Sequence, residues 1–325
     1  MTSYGGIDLG GTKIQAAVLD QAHKVIGSAR HPTPTQGGPA GVAKEMAAAM
    51  REAAKDADVE VQALAGIGVG SPGVVAGGTV TSARNLPDWQ GSFPLAEALE
   101  KELGPKVALG NDVQVATAAE FALGAGKPFT SLIGVFWGTG VGGALILDGK
   151  PWRGRGGAGE IGHMVVELGG ARCTCGRRGC LEAYAGREAM EEHVRKLVDE
   201  KGEKTDLFKL MKHHDETRLT SGVWARALEH GDGLAERMIE RAVQALGAGI
   251  ASAVNLLDIE AVILGGGLGV RFGEPMRKRI AEAMHPHLFQ DARPPQLAVA
   301  ALGDLGGATG ASLLVDPVAP ALAPS

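Results

Sequence analysis

All three cysteines of this 325-residue chain, Cys173, Cys175 and Cys180, fall within one eight-residue window, and His163 lies ten residues ahead of the first. Three thiolates and an imidazole make a complete tetrahedral Zn²⁺ set, and a set with no open position is structural rather than catalytic. Glu160 and Glu182 flank these ligands directly. A metal knot that fixes two carboxylates and a histidine in space suits the gripping of a polyol. The competing reading is three reduced structural or redox thiols. Three cysteines cannot all pair within one chain, so their tight spacing fits a metal in a reducing compartment better than a disulfide framework.

Length and charge bound the remaining possibilities. The chain is long enough for two domains, and 45% hydrophobic with 21% charged residues describes a globular protein with a sizeable core. A net charge of −5 and an isoelectric point near 6.0, with no basic block, argue against nucleic acid as the main partner. No apolar run reaches the ~18–20 residues of a membrane span. The first residues lead straight into a strand, without the charged-then-apolar order of a signal peptide. The expectation is a soluble cytoplasmic protein with no membrane partner. Glycine, at 50 residues, follows no Gly-X-Y period and therefore belongs to turns and ligand loops.

Hydrophobic patterning predicts strands over 6–9, 14–19 and 24–29, a helix over 40–57 and a buried strand over 64–69 that ends at Gly70-Ser71-Pro72-Gly73. A short strand over 107–109 precedes Gly110-Asn111-Asp112 and a helix over 113–123. Strands over 131–137 and 141–147 flank Gly138-Thr139-Gly140. Helices are predicted over 187–200, 234–257, 271–284 and 308–314, strands over 261–264 and 297–300, and a disordered tail near the end. The strand–glycine–strand unit thus occurs twice, near Asp8 and near Gly138. This weak duplication predicts two similar α/β lobes that offer glycine turns to one ligand in a shared cleft.

Three glycine loops follow apolar strands: Asp8-Leu9-Gly10-Gly11-Thr12-Lys13, Gly138-Thr139-Gly140 and Gly265-Gly266-Gly267. Glycine lets backbone N–H groups approach an anion with no Cβ in the way, and Thr12 and Lys13 add a hydroxyl and a cation. Asp8 can hold Mg²⁺ through water. Neither a P-loop nor a Rossmann fingerprint is present. Any one loop alone reads equally as an ordinary turn; three together point to a nucleotide, with the third near the adenosine. Asp112 at a strand–helix junction can accept a hydroxyl proton during phosphoryl transfer, with Asn111 bonding a neighbouring hydroxyl. The plain alternative is a helix N-cap. His213 and His214 read as a solvated face, and Trp89 as a loop anchor in preference to a wall of a sugar site.

Taken together these residues resemble the repressor–ORF–kinase (ROK) family of sugar kinases and sugar-responsive repressors. The resemblance runs from Gly6 to about Leu314. Its most specific parts are Gly159-Glu160-Ile161-Gly162-His163 and Cys173-x-Cys175-Gly176-x-x-Gly179-Cys180-Leu181-Glu182. Asp8-x-Gly10-Gly11-Thr12-Lys13, Pro72-Gly73, Asn111-Asp112 and the Gly138 and Gly265 loops follow in the family's order. Gln114 departs from a frequent Asn, which is read as helix packing.

The resemblance implies an actin-like, ribonuclease-H-like two-lobed kinase fold. The small lobe would be 1–110 plus 303–318, and the large lobe 111–302 with the zinc site at 163–180; 319–325 would be a tail. Asp112 matches the catalytic base. Gly73, Asn111, Asp112, Glu160, His163 and Glu182 match sugar-contacting positions, with Asn85 a further candidate. His163, Cys173, Cys175 and Cys180 match the zinc ligands. Asp8, Gly10, Gly11, Thr12, Lys13, Gly138, Thr139, Gly140, Gly265, Gly266 and Gly267 would serve ATP and its Mg²⁺. Asp8 stands almost at the start of the chain, so no DNA-binding domain is expected ahead of it. The Thr-Lys pair favours ATP over polyphosphate. The implied activity is 6-phosphorylation of a hexose, first of all glucose. The alternatives are N-acetylmannosamine, N-acetylglucosamine, mannose or fructose kinases and, from another class, a non-catalytic sugar sensor or a plain zinc scaffold. A homodimer or homotetramer follows by analogy.

Overall fold

The computed structural model describes residues 2–83, 86, 88, 89, 91–214 and 216–317. The Asn85 expectation and the 319–325 tail lie outside the described residues. The chain divides into two compact units. The first takes the residues up to Pro128, Gly149–Pro151 and those from Ala301 on; the second takes Phe129–Asp148 and Trp152–Ala300.

In the first unit β1 (Tyr4–Leu9) and β2 (Lys13–Leu19) form an antiparallel hairpin across the first glycine turn, and β3 (Val25–Pro32) extends it. Helix α1 (Gly38–Asp56) follows, and β4 (Ile67–Ser71) then pairs parallel with β1. A small meander of β5 (Val74–Ala76), β6 (Thr79–Thr81) and β7 (Ser92–Phe93) leads to α2 (Leu95–Leu103). β8 (Val107–Asn111) pairs parallel with β4, and α3 (Asp112–Leu123) leaves its end. The five-stranded order is β3-β2-β1-β4-β8. Val42, Met46, Ala49, Met50 and Ala53 put one buried face of α1 against β2 and β3. Each large side chain buried this way contributes about 1.5–3 kcal/mol.

The helix Gly306–Ser312 returns to this sheet and lies directly on it. A Cβ at Gly6 would meet the Ala308 carbonyl at 1.9 Å, and one at Gly68 the Ala311 carbonyl at 1.7 Å. Any side chain at either position would push the helix off the sheet.

In the second unit β9 (Leu132–Trp137) and β10 (Val141–Leu147) form the second antiparallel hairpin. After the three-residue β11 (Lys150–Trp152) and the cysteine knot come α4 (Glu182–Ala185), α5 (Arg187–Lys201), α6 (Leu207–His213) and α7 (Ser221–Glu229). The 25-residue α8 (Gly233–Leu257) precedes β12 (Ala261–Gly265), α9 (Gly266–Met284) and β13 (Gln296–Val299). The returning helix is α10. The five-stranded order is β11-β10-β9-β12-β13, with β12 parallel to β9 and to β13. Each unit has its own apolar core, one around Ile7, Ile14, Met46 and Leu99, the other around Val135, Trp137, Trp224 and Leu246. No described helix is long and apolar enough to cross a membrane.

The division differs from the expected boundary at 110. The chain crosses after Pro128 because α3 packs on α10, β4 and β8, all parts of the first unit. α9 starts five residues earlier than the 271 start predicted from the pattern and contains a break at Gly273 (φ +56°), two residues before Pro275. Trp89 is buried, donates from Nε1 to the Val80 carbonyl at 3.4 Å and meets Phe93 edge-on, which makes it a loop anchor.

Candidate active site

Three parallel strands of the first unit end side by side. The register pairs Asp8 with Gly70 and Ser71 with Asn111, so the carboxyl ends of β1, β4 and β8 bring Asp8, Pro72-Gly73, Asn111 and Asp112 to one edge. Open α/β sheets bind their ligands outside such carboxyl ends.

Asp8 sits deep in this edge. Burial, reinforced by the Asp112 carboxylate, raises its pKa to about 6, against the opposing pull of Lys13. Gly307 of α10 lies against it: a Cβ there would sit 2.6 Å from Asp8 Cγ. The turn beyond Asp8 is closed by the Gly10 N–H donating to the Lys13 carbonyl at 2.9 Å, and the Thr33 hydroxyl pins it by donating to the Gly10 carbonyl at 2.7 Å. Gly11 and Thr12 are exposed at its tip. Lys13 Nζ pairs with Asp304 at 3.5 Å, a solvent-facing contact worth well under about 1 kcal/mol.

The Asn111-Asp112 step forms the helix cap weighed for it. Asn111 Oδ1 caps α3, accepting from Val113 N–H at 3.1 Å and Gln114 N–H at 3.2 Å. That leaves the amide Nδ2 outside the cap. Asp112 Oδ1 also accepts from Val113 N–H, at 2.9 Å, which fixes the carboxylate at the first turn. Gly73 has φ +89°, and a Cβ on it would meet the Thr81 carbonyl at 2.8 Å, so this corner admits only glycine.

In the second unit, the turn Gly138–Gly140 is held from behind by α5. The N–H groups of Arg187 and Glu188, which open that helix and have no partner within it, donate to the carbonyls of Gly138 and Thr139, both at 3.1 Å. The third glycine loop stands beside this turn: an ideal Cβ on Gly138 would lie 3.7 Å from Gly267 N. Gly266, at φ +80°, lets the chain turn from β12 into α9 against the Trp137 backbone.

The ligand atoms of His163, Cys173, Cys175 and Cys180 all lie within 4.8 Å of one another. Zn–S bonds of ~2.3 Å in a tetrahedron set an edge of about 3.8 Å. Cys175 and Cys180 sulfurs are 3.7 Å apart, and Cys173 Sγ is 3.9 Å from His163 Nδ1. The donor set and its spacing therefore fit zinc. Isolated bridges between Val165 and Cys180 and between Arg172 and Arg178 fold the segment back on itself. The Arg177 N–H pulls the Cys175 thiol down to about 6, while burial pushes Cys180 up to about 12 and raises Cys173.

Glu182 joins the knot to the glycine turn. Its Oε2 accepts from Val141 N–H at 2.9 Å, and its Oε1 from the Thr174 hydroxyl at 3.3 Å. Glu160 is exposed at the entry of the single 3₁₀ turn Ile161–His163, and His163 is half-buried. The first unit thus gathers Asp8, Gly10, Gly11, Thr12, Lys13, Gly73, Asn111 and Asp112, and the second gathers Gly138–Gly140, Gly265–Gly267, the four metal-ligand candidates, Glu160 and Glu182. Sequence reasoning missed Arg187 and Gly307. Neither carries a motif; each matters only through what it touches.

The ROK family model matches residues 4–317. A glucokinase of Thermotoga maritima is 32% identical over 288 residues, 86% of this chain and 88% of its own. The N-acetylgalactosamine kinase AgaK of a Shewanella species is 32% identical over 321 residues, covering 96% of each chain. The crystal structure of a ROK family glucokinase from Streptomyces griseus, in complex with glucose and AMPPNP, superposes with a TM-score of 0.81 at 31% identity, covering 96% of this chain and 98% of that one. The glycine loops, the Asn-Asp junction and the His-Cys₃ knot all fall within the matched span. The chain belongs to the ROK family and has the actin-like fold of its sugar kinases.

Proposed function

We propose that the chain is an ATP-dependent hexose kinase that transfers the γ-phosphoryl group to the 6-hydroxyl of glucose. The observation that carries the reading is the paired carboxylates Asp8 and Asp112 at the carboxyl edge of three parallel strands, in a chain that also holds two mutually supporting glycine loops. The likeness to glucokinases supports glucose as the first substrate.

In this reading Asp112 accepts the proton of the 6-hydroxyl as its oxygen attacks the γ-phosphorus. The O–H bond breaks, a P–O bond forms, and ADP leaves with the bridging oxygen. Asn111, Gly73, Glu160, His163 and Glu182 bond the remaining sugar hydroxyls. A site built to bond a given hydroxyl rejects an analogue that lacks it. Gly10, Gly11, Thr12, Lys13, Gly138–Gly140 and Gly265–Gly267 hold the nucleotide.

Asp8 and Asp112 suit Mg²⁺, because a cation would offset both the burial and the Asp112 charge that raise Asp8. That ion supplies charge neutralisation on the phosphates. His163, Cys173, Cys175 and Cys180 would hold a structural Zn²⁺, which supplies rigidity to the knot carrying His163 and Glu182. The free thiols fit a reducing, cytoplasmic setting. A homodimer or homotetramer is the assembly expected from the family, to be checked by sedimentation.

The test is an initial-rate assay with Mg-ATP against glucose, mannose, fructose, N-acetylglucosamine, N-acetylgalactosamine and N-acetylmannosamine. Glucose-selective turnover is expected. Preference for an N-acetylhexosamine, the class named for the AgaK relative, changes the substrate and keeps the mechanism. No turnover with any sugar, from zinc-loaded folded protein, replaces the kinase by a sugar sensor.

A further inference from the structure

Arg187 is the one buried arginine among the described residues, and its two terminal nitrogens reach the Gly138–Gly140 turn and the Leu219 carbonyl. One guanidinium nitrogen donates to the Thr139 hydroxyl oxygen at 2.9 Å, and the other to the Leu219 carbonyl at 3.0 Å. Its own backbone N–H and that of Glu188 donate to the carbonyls of Gly138 and Thr139, both at 3.1 Å.

Two consequences follow from elementary geometry. In a trans peptide the C=O and the next N–H point in opposite directions. Carbonyls drawn toward α5 therefore turn the N–H groups of Thr139 and Gly140 to the other side of the turn. Guanidinium has donors only. Thr139 Oγ1 must then accept from Arg187, and the hydroxyl proton is left to donate elsewhere. The two backbone N–H groups thus face away from α5, the arrangement that binds an anion, and the hydroxyl proton beside them is not used by Arg187.

We propose that Arg187 is a positioning residue for the phosphoryl donor: it fixes Thr139 as a hydrogen-bond donor to a phosphate oxygen of the bound nucleotide. This rests on the reading of Gly138–Gly140 as a nucleotide loop. A lysine there cannot span both acceptors with a fixed fork. A glutamine keeps a donor and removes the charge.

The experiment is a double-mutant cycle on the full-length, metal-loaded protein, with Thr139→Val, Arg187→Gln and the pair, read by Mg-ATP kinetics and by calorimetric binding of ATP and of glucose. Thr139→Val is expected to lower kcat/KM for ATP roughly 10- to 100-fold, the scale of one lost hydrogen bond to a charged group. Thr139→Ser is expected to stay within about threefold of wild type, because its hydroxyl retains the bond. Arg187→Gln is expected to fall with Thr139→Val, the pair being little worse than either alone, because both remove the same contact. Glucose affinity should stay unchanged in all of them. Multiplying effects in the pair overturn the proposal, as does an equal loss of glucose and ATP binding. Should Arg187→Gln fail to fold, the Thr139 variants decide alone, and a Thr139→Val protein with wild-type ATP kinetics overturns it. Wild-type protein that neither binds nor turns over Mg-ATP overturns the nucleotide reading itself, a result distinct from all of these.

Discussion

Asp8 and Phe136 occupy equivalent places in two sheets of the same topology. Each unit has a strand with an antiparallel hairpin partner on one side and a parallel strand on the other: β2-β1-β4-β8 in the first, β10-β9-β12-β13 in the second. The last paired residue before the turn is Leu9 in one and Trp137 in the other, and the residue before it faces a glycine of the parallel neighbour, Asp8 with Gly70 and Phe136 with Gly265. One copy puts a carboxylate there and the other a phenyl ring, which lies 2.6 Å from where a Gly265 Cβ would be. The charged groups at the turn differ too: Asp112 and Lys13 beside the first, Arg187 and the Glu182 carboxylate beside the second. The same backbone therefore takes different polar partners in the two units. A carboxylate pair suits a cation and a proton, and a glycine turn backed by arginine suits an anion.

The largest effect expected from breaking this contrast is on chemistry. Asp112→Asn should lower kcat by roughly 10²–10⁴, the usual weight of a positioned base, while glucose binding by calorimetry survives in part. Near-normal turnover in that variant removes the base from Asp112. Next comes metal removal. The first unit has its own core and no metal-ligand cluster among the described residues, whereas the second carries the knot. Chelation should lower the melting temperature by roughly 10 °C or more and detach an early transition belonging to the second unit. One unchanged transition after complete metal loss, verified by elemental analysis, contradicts a structural zinc.

Asp8 sharpens the comparison through pH. Its folded value of about 6 lies above the ordinary 3.8, so the folded state holds the extra proton between those limits. Stability of the metal-free protein is therefore greatest below about pH 4 on this account and is lost as pH rises toward 6, by at most about 3 kcal/mol. Asp8→Asn should flatten that slope and melt higher than wild type at pH 7 without Mg²⁺; an unaltered pH profile would count against the raised Asp8 carboxyl. The smallest effect belongs to His31 on β3, whose ring nitrogens reach Glu45 at 2.5 Å and Glu52 at 3.0 Å, raising its pKa chiefly through the Glu45 bond. A raised histidine contributes below its unfolded value near 6.5, and the contribution fades as pH rises through the higher folded value. His31→Gln should cost under about 1 kcal/mol at pH 5.5 and less at pH 8 by thermal melting, since both glutamates are partly exposed.

Much of this was legible along the chain because it is local. The hairpins around Gly10 and Gly138 need only alternating apolar residues and glycines at the turn, and the zinc candidates declare themselves by spacing. The duplication was visible only weakly, since Asp8 and Phe136 share a place in the topology and nothing in residue type. The division after Pro128 was not legible for a related reason: α3 packs on α10, which comes almost two hundred residues later.

Residue identity alone determined which chemistry this chain can carry: three thiols and an imidazole for one metal, carboxylates at strand ends, glycines where strands turn. Those are short-range choices, set by covalent geometry and by what each side chain can donate, accept or ionise. Tertiary structure decided which groups act together. Asp8 is raised because burial and Asp112, a residue one hundred and four positions away, meet it at the sheet edge. Thr139 Oγ1 is an acceptor toward α5 because Arg187 arrives from that helix. Burial and the pairing of donor with acceptor depend on distance in space, which sequence order does not encode.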